Sequence, residues 1–160
     1  MKNLSKITIT LAVLFRAGSN YMLANDDVRL VEAIAMVESG ADDQAVGLIT
    51  ARAERALGRY QMLPSTWRDR TDWPVEYAHH HLKAQAVAVA HIRWLRKVLE
   101  KRLGEGQVTN YHLICAWRYG HAYVGKWDTN EQYVMRNQYI QRVLNMYELG
   151  QAPKHQPQID

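Results

Sequence analysis

The sequence predicts a mainly α domain with one small β or irregular excursion after its first helix. Three observations carry this. Apolar residues recur at helical spacing along most of the chain, glycines fall just past the last apolar residue of several such stretches, and between residues 41 and 60 the helical period disappears.

Asp26 and Asp27 are placed to cap a first helix, in which Leu30, Val31, Ile34 and Val37 share one face up to Gly40. In the aperiodic stretch that follows, residues 45–50 suit a short strand of a small hairpin, ahead of the polar run from Arg52 to Arg55. Pro64-Ser65-Thr66-Trp67 opens a short helix, since proline is tolerated in a first turn, and Pro74 marks its limit. From about Tyr77 to Leu103 a long central helix carries Leu82, Ala86, Val89, Ile92, Leu95 and Leu99 as one stripe, stopped by Gly104. Thr109 or Asn110 caps a helix bearing Leu113, Ile114 and Trp117 up to Gly120. Asn130 begins the last, with Tyr133, Ile140, Val143, Leu144 and Tyr147 leading to Gly150. Residues 151–160 read as a flexible polar tail.

The 160 residues, 48% hydrophobic and 22% charged, suit one compact domain and exclude intrinsic disorder. Five Trp and nine Tyr against one Phe supply flat faces with hydrogen-bonding handles, which fit a polar groove as well as a core. The net charge of +4 gathers at the front, where residues 1–24 hold three basic residues and no acid, so the body is nearly neutral and no nucleic-acid partner is expected. The stripe Arg93, Arg96, Lys97, Lys101, Arg102 is interrupted by Glu100 and reads as a solvated helix face. Residues 1–24 have the basic start, short apolar run and small-residue finish of a signal peptide, which predicts export to the periplasm. That run ends at Arg16, too short for stable membrane insertion. The single Cys115, amid Leu113, Ile114 and Ala116, reads as a buried inert thiol, and His79-His80-His81 point three ways on a helix, so neither a metal nor another cofactor is expected.

Glu38 is the informative carboxylate. It follows Ile34 by four residues and Val31 by seven, so it lies beside the buried stripe, in the last turn of its helix where the dipole is negative. Partial desolvation and the dipole both disfavour the charged form, which predicts a pKa above the reference of about 4.3 and a group able to donate a proton near neutrality. A surface Glu at a frayed helix end is the plain alternative.

Glu38-Ser39-Gly40, then Ala45-Val46-Gly47, then Gly58-Arg59-Tyr60-Gln61-Met62-Leu63-Pro64-Ser65-Thr66-Trp67 resembles the catalytic domain of the soluble lytic transglycosylase family, relatives of goose-type lysozyme. Ala116-Trp117-Arg118-Tyr119-Gly120 is similar to that family's Ala-Tyr-Asn-x-Gly segment, and Tyr139-Ile140-Gln141-Arg142-Val143 to its late tyrosine helix. The resemblance spans residues 28–147 and implies a lysozyme-like domain over 25–150. It implies Glu38 as the sole catalytic carboxylate, acid first and base second, with Ser39 fixing its orientation. Gln61 would hydrogen-bond the sugar chain, Met62 pack on a sugar face, Tyr60 and Trp117 join the binding surface, and Tyr139 point its hydroxyl at Glu38. Core packing is the plain alternative for Met62 and Tyr139, and Trp67 is a second candidate stacking platform.

Two departures stand out. Arg118 occupies the family's Asn position, bringing a cation towards the acid, and the gap from Glu38 to Gln61 is longer than in compact members. The implied activity is cleavage of the β-1,4 bond between N-acetylmuramic acid and N-acetylglucosamine in peptidoglycan, with a 1,6-anhydro product. Hydrolysis of the same bond, with Asp42 or Asp43 positioning a water, and a non-catalytic glycan-binding component of a cell-envelope or secretion assembly are the alternatives.

Overall fold

The computed structural model describes residues 25–50, 53–124 and 138–150. The expected signal segment, the polar tail, and the part of the last helix before residue 138 lie outside these. The described chain is mainly α, with five helices and a two-stranded antiparallel hairpin.

Helix α1 covers residues 25–39 and turns Leu30, Val31, Ala33, Ile34 and Ala35 into the core. Gly40, at φ +69°, ends it with its N–H on the Met36 carbonyl. Asp27 reaches sideways to the central helix. It is buried and accepts from Arg93 Nε at 3.1 Å and Arg96 Nη2 at 2.8 Å, pinning α1 to the central helix. Two members of the basic stripe are thereby neutralised, and Arg102 donates to the His121 carbonyl.

The aperiodic stretch folds as the hairpin β1 (Val46–Ile49) and β2 (Arg55–Leu57), in register Val46 to Leu57 and Ile49 to Arg55, with an irregularity between. Glu54, near its tip, accepts from the Ser65 N–H at 3.0 Å and the Ser65 hydroxyl at 2.6 Å, fixing the start of α2 (Pro64–Arg68) to the hairpin. Trp67 on α2 is 1% exposed and its indole N–H donates to the Trp73 carbonyl, so it is core and not a stacking platform.

The central helix starts later than its spacing predicts. Residues Val75–His79 form a 3₁₀ turn, His80 is extended, and α3 runs His81–Leu103, where Gly104 stops it. The stripe holds from Val89 to Leu99, but Leu82 is 66% exposed and Ala86 is exposed. Ala84, Val87 and Ala88 lie inward there, small residues that let the preceding 3₁₀ turn pack close. Helix α4 (Asn110–Tyr119) packs on α3 and on α5 (Gln138–Leu149), and buries Leu113, Ile114, Cys115 and Ala116. Each fully buried Leu or Ile in this core contributes about 2 kcal/mol by leaving water. Among the described residues no helix is long and apolar enough to cross a membrane.

Candidate functional site

A groove crosses the face where α1 ends, between the hairpin and α4. Near the hairpin it forms a cavity of about 450 Å³ walled by Glu38, Gly47, Leu48, Gln61, Trp117 and Arg118. It narrows beside Met62 and Thr66 to about 90 Å³, then widens past His91 to about 480 Å³. Leu63 and Trp117 belong to the walls of all three parts. Leu48 and Ile49 stand 89% and 61% exposed on the hairpin, giving the groove one apolar lip.

Glu38 is held here because α1 runs one turn beyond its last fully buried residues before Gly40 stops it. Its side chain is only 9% exposed, yet it belongs to the groove wall. Tyr139, in the first turn of α5, donates its hydroxyl to Glu38 Oε1 at 2.6 Å. Arg118 Nη1 lies 3.5 Å from Glu38 Oε2, with its guanidinium carbon 5.1 Å from the centre of the Tyr139 ring. Burial first, and the Glu38 charge second, push the Tyr139 phenol far up, so it remains a hydrogen-bond donor at any working pH. Arg118 is half exposed and belongs to the groove wall.

The turn carrying Gln61 is built on backbone strain. Leu57 and Met62 exchange two backbone hydrogen bonds across it, and Gly58 sits at φ +67° so close to the 3₁₀ turn that a Cβ would lie 2.0 Å from the Ala78 carbonyl oxygen. Gln61 itself adopts φ +46°, unusual for a residue with a side chain, and donates its amide to the Gly58 carbonyl at 2.9 Å. Its amide oxygen rests against Gly47, where a Cβ would lie 2.5 Å away. The hairpin glycine thus makes room for Gln61 at the groove floor.

Of the residues singled out from the sequence, Glu38, Gln61 and Trp117 line the hairpin end of the groove, Met62 lines the narrow part while 5% exposed, and Tyr139 supports Glu38 from behind. Two do not reach the groove. Ser39 donates its hydroxyl to the Arg59 carbonyl at 2.8 Å, and so orients Glu38 only by tying the helix end to the Gln61 turn. Tyr60 is buried, and its hydroxyl donates to Glu32 Oε1 at 2.6 Å, which removes it from any substrate surface.

The sequence reading missed the far end of the groove. There Arg70, His91, Trp94 and His121 gather beyond Trp117. The legible signal was the pair His91 and Trp94, three residues apart on the predicted central helix and therefore neighbours on its surface. The three consecutive histidines do not point three ways on one helix: the 3₁₀ turn and extended His80 bring His79 Nδ1 to the Asp43 carbonyl at 2.8 Å and His81 beside the Asp43 carboxylate and Arg59, while His80 packs against Tyr77. Among the described residues no three His, Cys, Asp or Glu side chains gather as a metal site would need.

No protein-family model, curated protein or solved structure matches this chain. What the site can do therefore rests on its geometry. A shielded carboxylate at a groove wall, oriented by a phenol and flanked by a half-exposed cation, can exchange a proton with a ligand in the groove.

Proposed function

We propose that the chain is a peptidoglycan lytic transglycosylase of the kind its motifs resemble, cutting the β-1,4 bond between N-acetylmuramic acid and N-acetylglucosamine. The observation that carries this reading is Glu38, 9% exposed at the wall of an open groove, with the Tyr139 hydroxyl 2.6 Å from its Oε1. Protonated Glu38 gives its proton to the bridging oxygen as the bond to the anomeric carbon breaks. The resulting carboxylate then takes the proton of the sugar's own 6-hydroxyl, whose oxygen closes on the anomeric carbon. The product is a 1,6-anhydro ring and no water is consumed. Before the first step Arg118 has to leave Oε2, and its half-exposed side chain makes that a local movement.

Hydrolysis would need a second carboxylate to position a water. Around Glu38 no other acid lines the groove among the described residues. Asp42 Oδ1 accepts from the Gln44 N–H at 2.9 Å, and Asp43 Oδ1 is 2.9 Å from Arg59 Nε. Those engagements favour transglycosylation over the lysozyme outcome. The basic start and apolar run of residues 1–24 support export to the compartment where such glycan lies.

Mass spectrometry of digested cell-wall glycan tests the reading. Anhydro ends, lighter by one water than hydrolytic ends, are the expected product, and reducing ends throughout would replace transglycosylation by hydrolysis. With Glu38→Gln, turnover disappears while glycan binding persists. A protein that binds glycan and never releases fragments would be a binding component instead.

A further inference from the structure

Beyond Trp117 the groove contains a cation with no acid within 4.0 Å among the described residues, although Asp69 lines the same end. Arg70, just past the end of α2, lays its guanidinium on the Trp94 ring, with the carbon 3.8 Å from the ring centre. Its Nε donates to His91 Nδ1 at 3.0 Å and its Nη1 to the Asp69 carbonyl at 2.7 Å. His91 accepts because burial, then the charges of Arg70 and His121, push its imidazole down to about 4 and keep it neutral. The floor is aromatic: His91 stacks on Trp94 at 5.6 Å, and His121 meets Trp94 edge-on at 5.2 Å.

These contacts fix a side chain that would otherwise sample many rotamers, so a ligand meeting Arg70 has little ordering entropy to overcome. Among the described residues Arg29, Arg59, Arg68, Arg93, Arg96 and Arg118 each lie within 4.0 Å of an acid; Arg70, like Arg55 and Arg102, does not, and of these three it is the one in the groove wall. Asp69 acts on it only at longer range, and Nη2 meets no acceptor among the described residues. Positioned nitrogens of this kind suit the two oxygens of a carboxylate.

We infer that this end of the groove is a subsite for a carboxylate carried on the glycan, read by Arg70 over Trp94. The inference rests on the glycan reading above. Such a strand offers the group from two sources, the lactyl acid of a muramyl sugar stripped of peptide or the free acids of an attached peptide.

Calorimetric titration of the full chain carrying Glu38→Gln, which prevents turnover, separates them. Three probes are compared: a neutral N-acetylglucosamine oligomer, a stripped muramyl oligomer with free lactyl acids, and a peptide-bearing muramyl oligomer. At least one acidic oligomer should bind about tenfold tighter than the neutral one, and adding Arg70→Gln should erase that difference without weakening the neutral oligomer. Whichever acidic oligomer gains identifies the source. Arg70→Lys, which keeps the charge and loses the planar stack, should retain part of the preference, and equal unfolding temperatures show that each variant is folded. Equal binding of all three oligomers, or equal loss on all three with Arg70→Gln, would overturn the subsite alone. Failure of every oligomer to bind would remove the glycan reading with it. Loss of wall cleavage by the unsubstituted chain, with discrimination intact, would sink only the catalytic part.

Discussion

Glu32 and Glu38 stand on the same helix six residues apart, and each accepts a tyrosine hydroxyl at 2.6 Å and faces an arginine, Arg59 at 3.3 Å and Arg118 at 3.5 Å. Their surroundings differ in what can move. Arg59 is buried, bonded to the Ala41 carbonyl at 3.0 Å and paired with Asp43, and Gln85 gives Glu32 a further donor at 2.9 Å. Glu32 is thus a strut between α1, the Gln61 turn and α3. Arg118 is half exposed on the groove wall, so the partner of Glu38 is the one a ligand can displace. The same three residue types make a structural joint in one place and, on the proposed function, a reactive group in the other, according to how deeply the cation is buried.

The sharpest way to break the comparison is to neutralise each acid. Glu38→Gln should lower glycan cleavage by about 10³-fold, the scale of a lost general acid, with little change in unfolding temperature. Glu32→Gln should keep the cleavage rate and lose about 1–2 kcal/mol of stability, since solvent partly screens the network it breaks. Denaturant unfolding and single-turnover kinetics on both variants decide this. Equal kinetic effects would erase the distinction.

His91, at the far end of the groove, gives a pH-dependent contrast. His91 is held down at about 4 against 6.5 in the unfolded chain, chiefly by burial. Its contribution is therefore complete above about pH 6.5 and is lost as pH falls towards 4, because the unfolded chain then binds a proton that the folded one refuses. The loss is on the order of 3 kcal/mol. Chemical unfolding between those limits should show it, and His91→Gln should flatten that part of the curve.

The tyrosines give a smaller contrast. Tyr139→Phe should cost about tenfold in kcat with a modest change in stability, whereas Tyr60→Phe should leave kcat alone and cost about 1–2 kcal/mol on unfolding. Smallest is the effect of the half-exposed cation. Arg118→Asn should raise kcat about threefold by removing the guanidinium that has to leave Oε2 before Glu38 meets the bridging oxygen, while Arg59→Gln should change stability and not kcat. A fall in kcat with Arg118→Asn would assign that guanidinium to the substrate.

How far the sequence reveals this follows from which contacts are local. The place of Glu38 beside the buried stripe follows from its spacing to Ile34, and Gly40, Pro64, Gly104 and Gly120 mark helix limits at or next to their positions in the structure. The assignment of Tyr60 to substrate binding fails because its partner Glu32 lies 28 residues away, on a helix face that periodicity marks only as half-buried. Leu82 and Ala86 mislead for a related reason. Two adjacent stripes run along the start of α3, and only the packing of the 3₁₀ turn decides which is covered. Arg70 was invisible because its companions His91 and Trp94 are 21 and 24 residues further on.

The bond between Tyr139 and Glu38 joins residues 101 apart. A ribosome delivers the acid early and its phenol near the finish, and closing so long a loop carries an entropic cost that only docking of α5 repays. Until that helix settles, Glu38 lacks the hydroxyl that orients it, so the arrangement around this carboxylate is complete only once the last helix has docked.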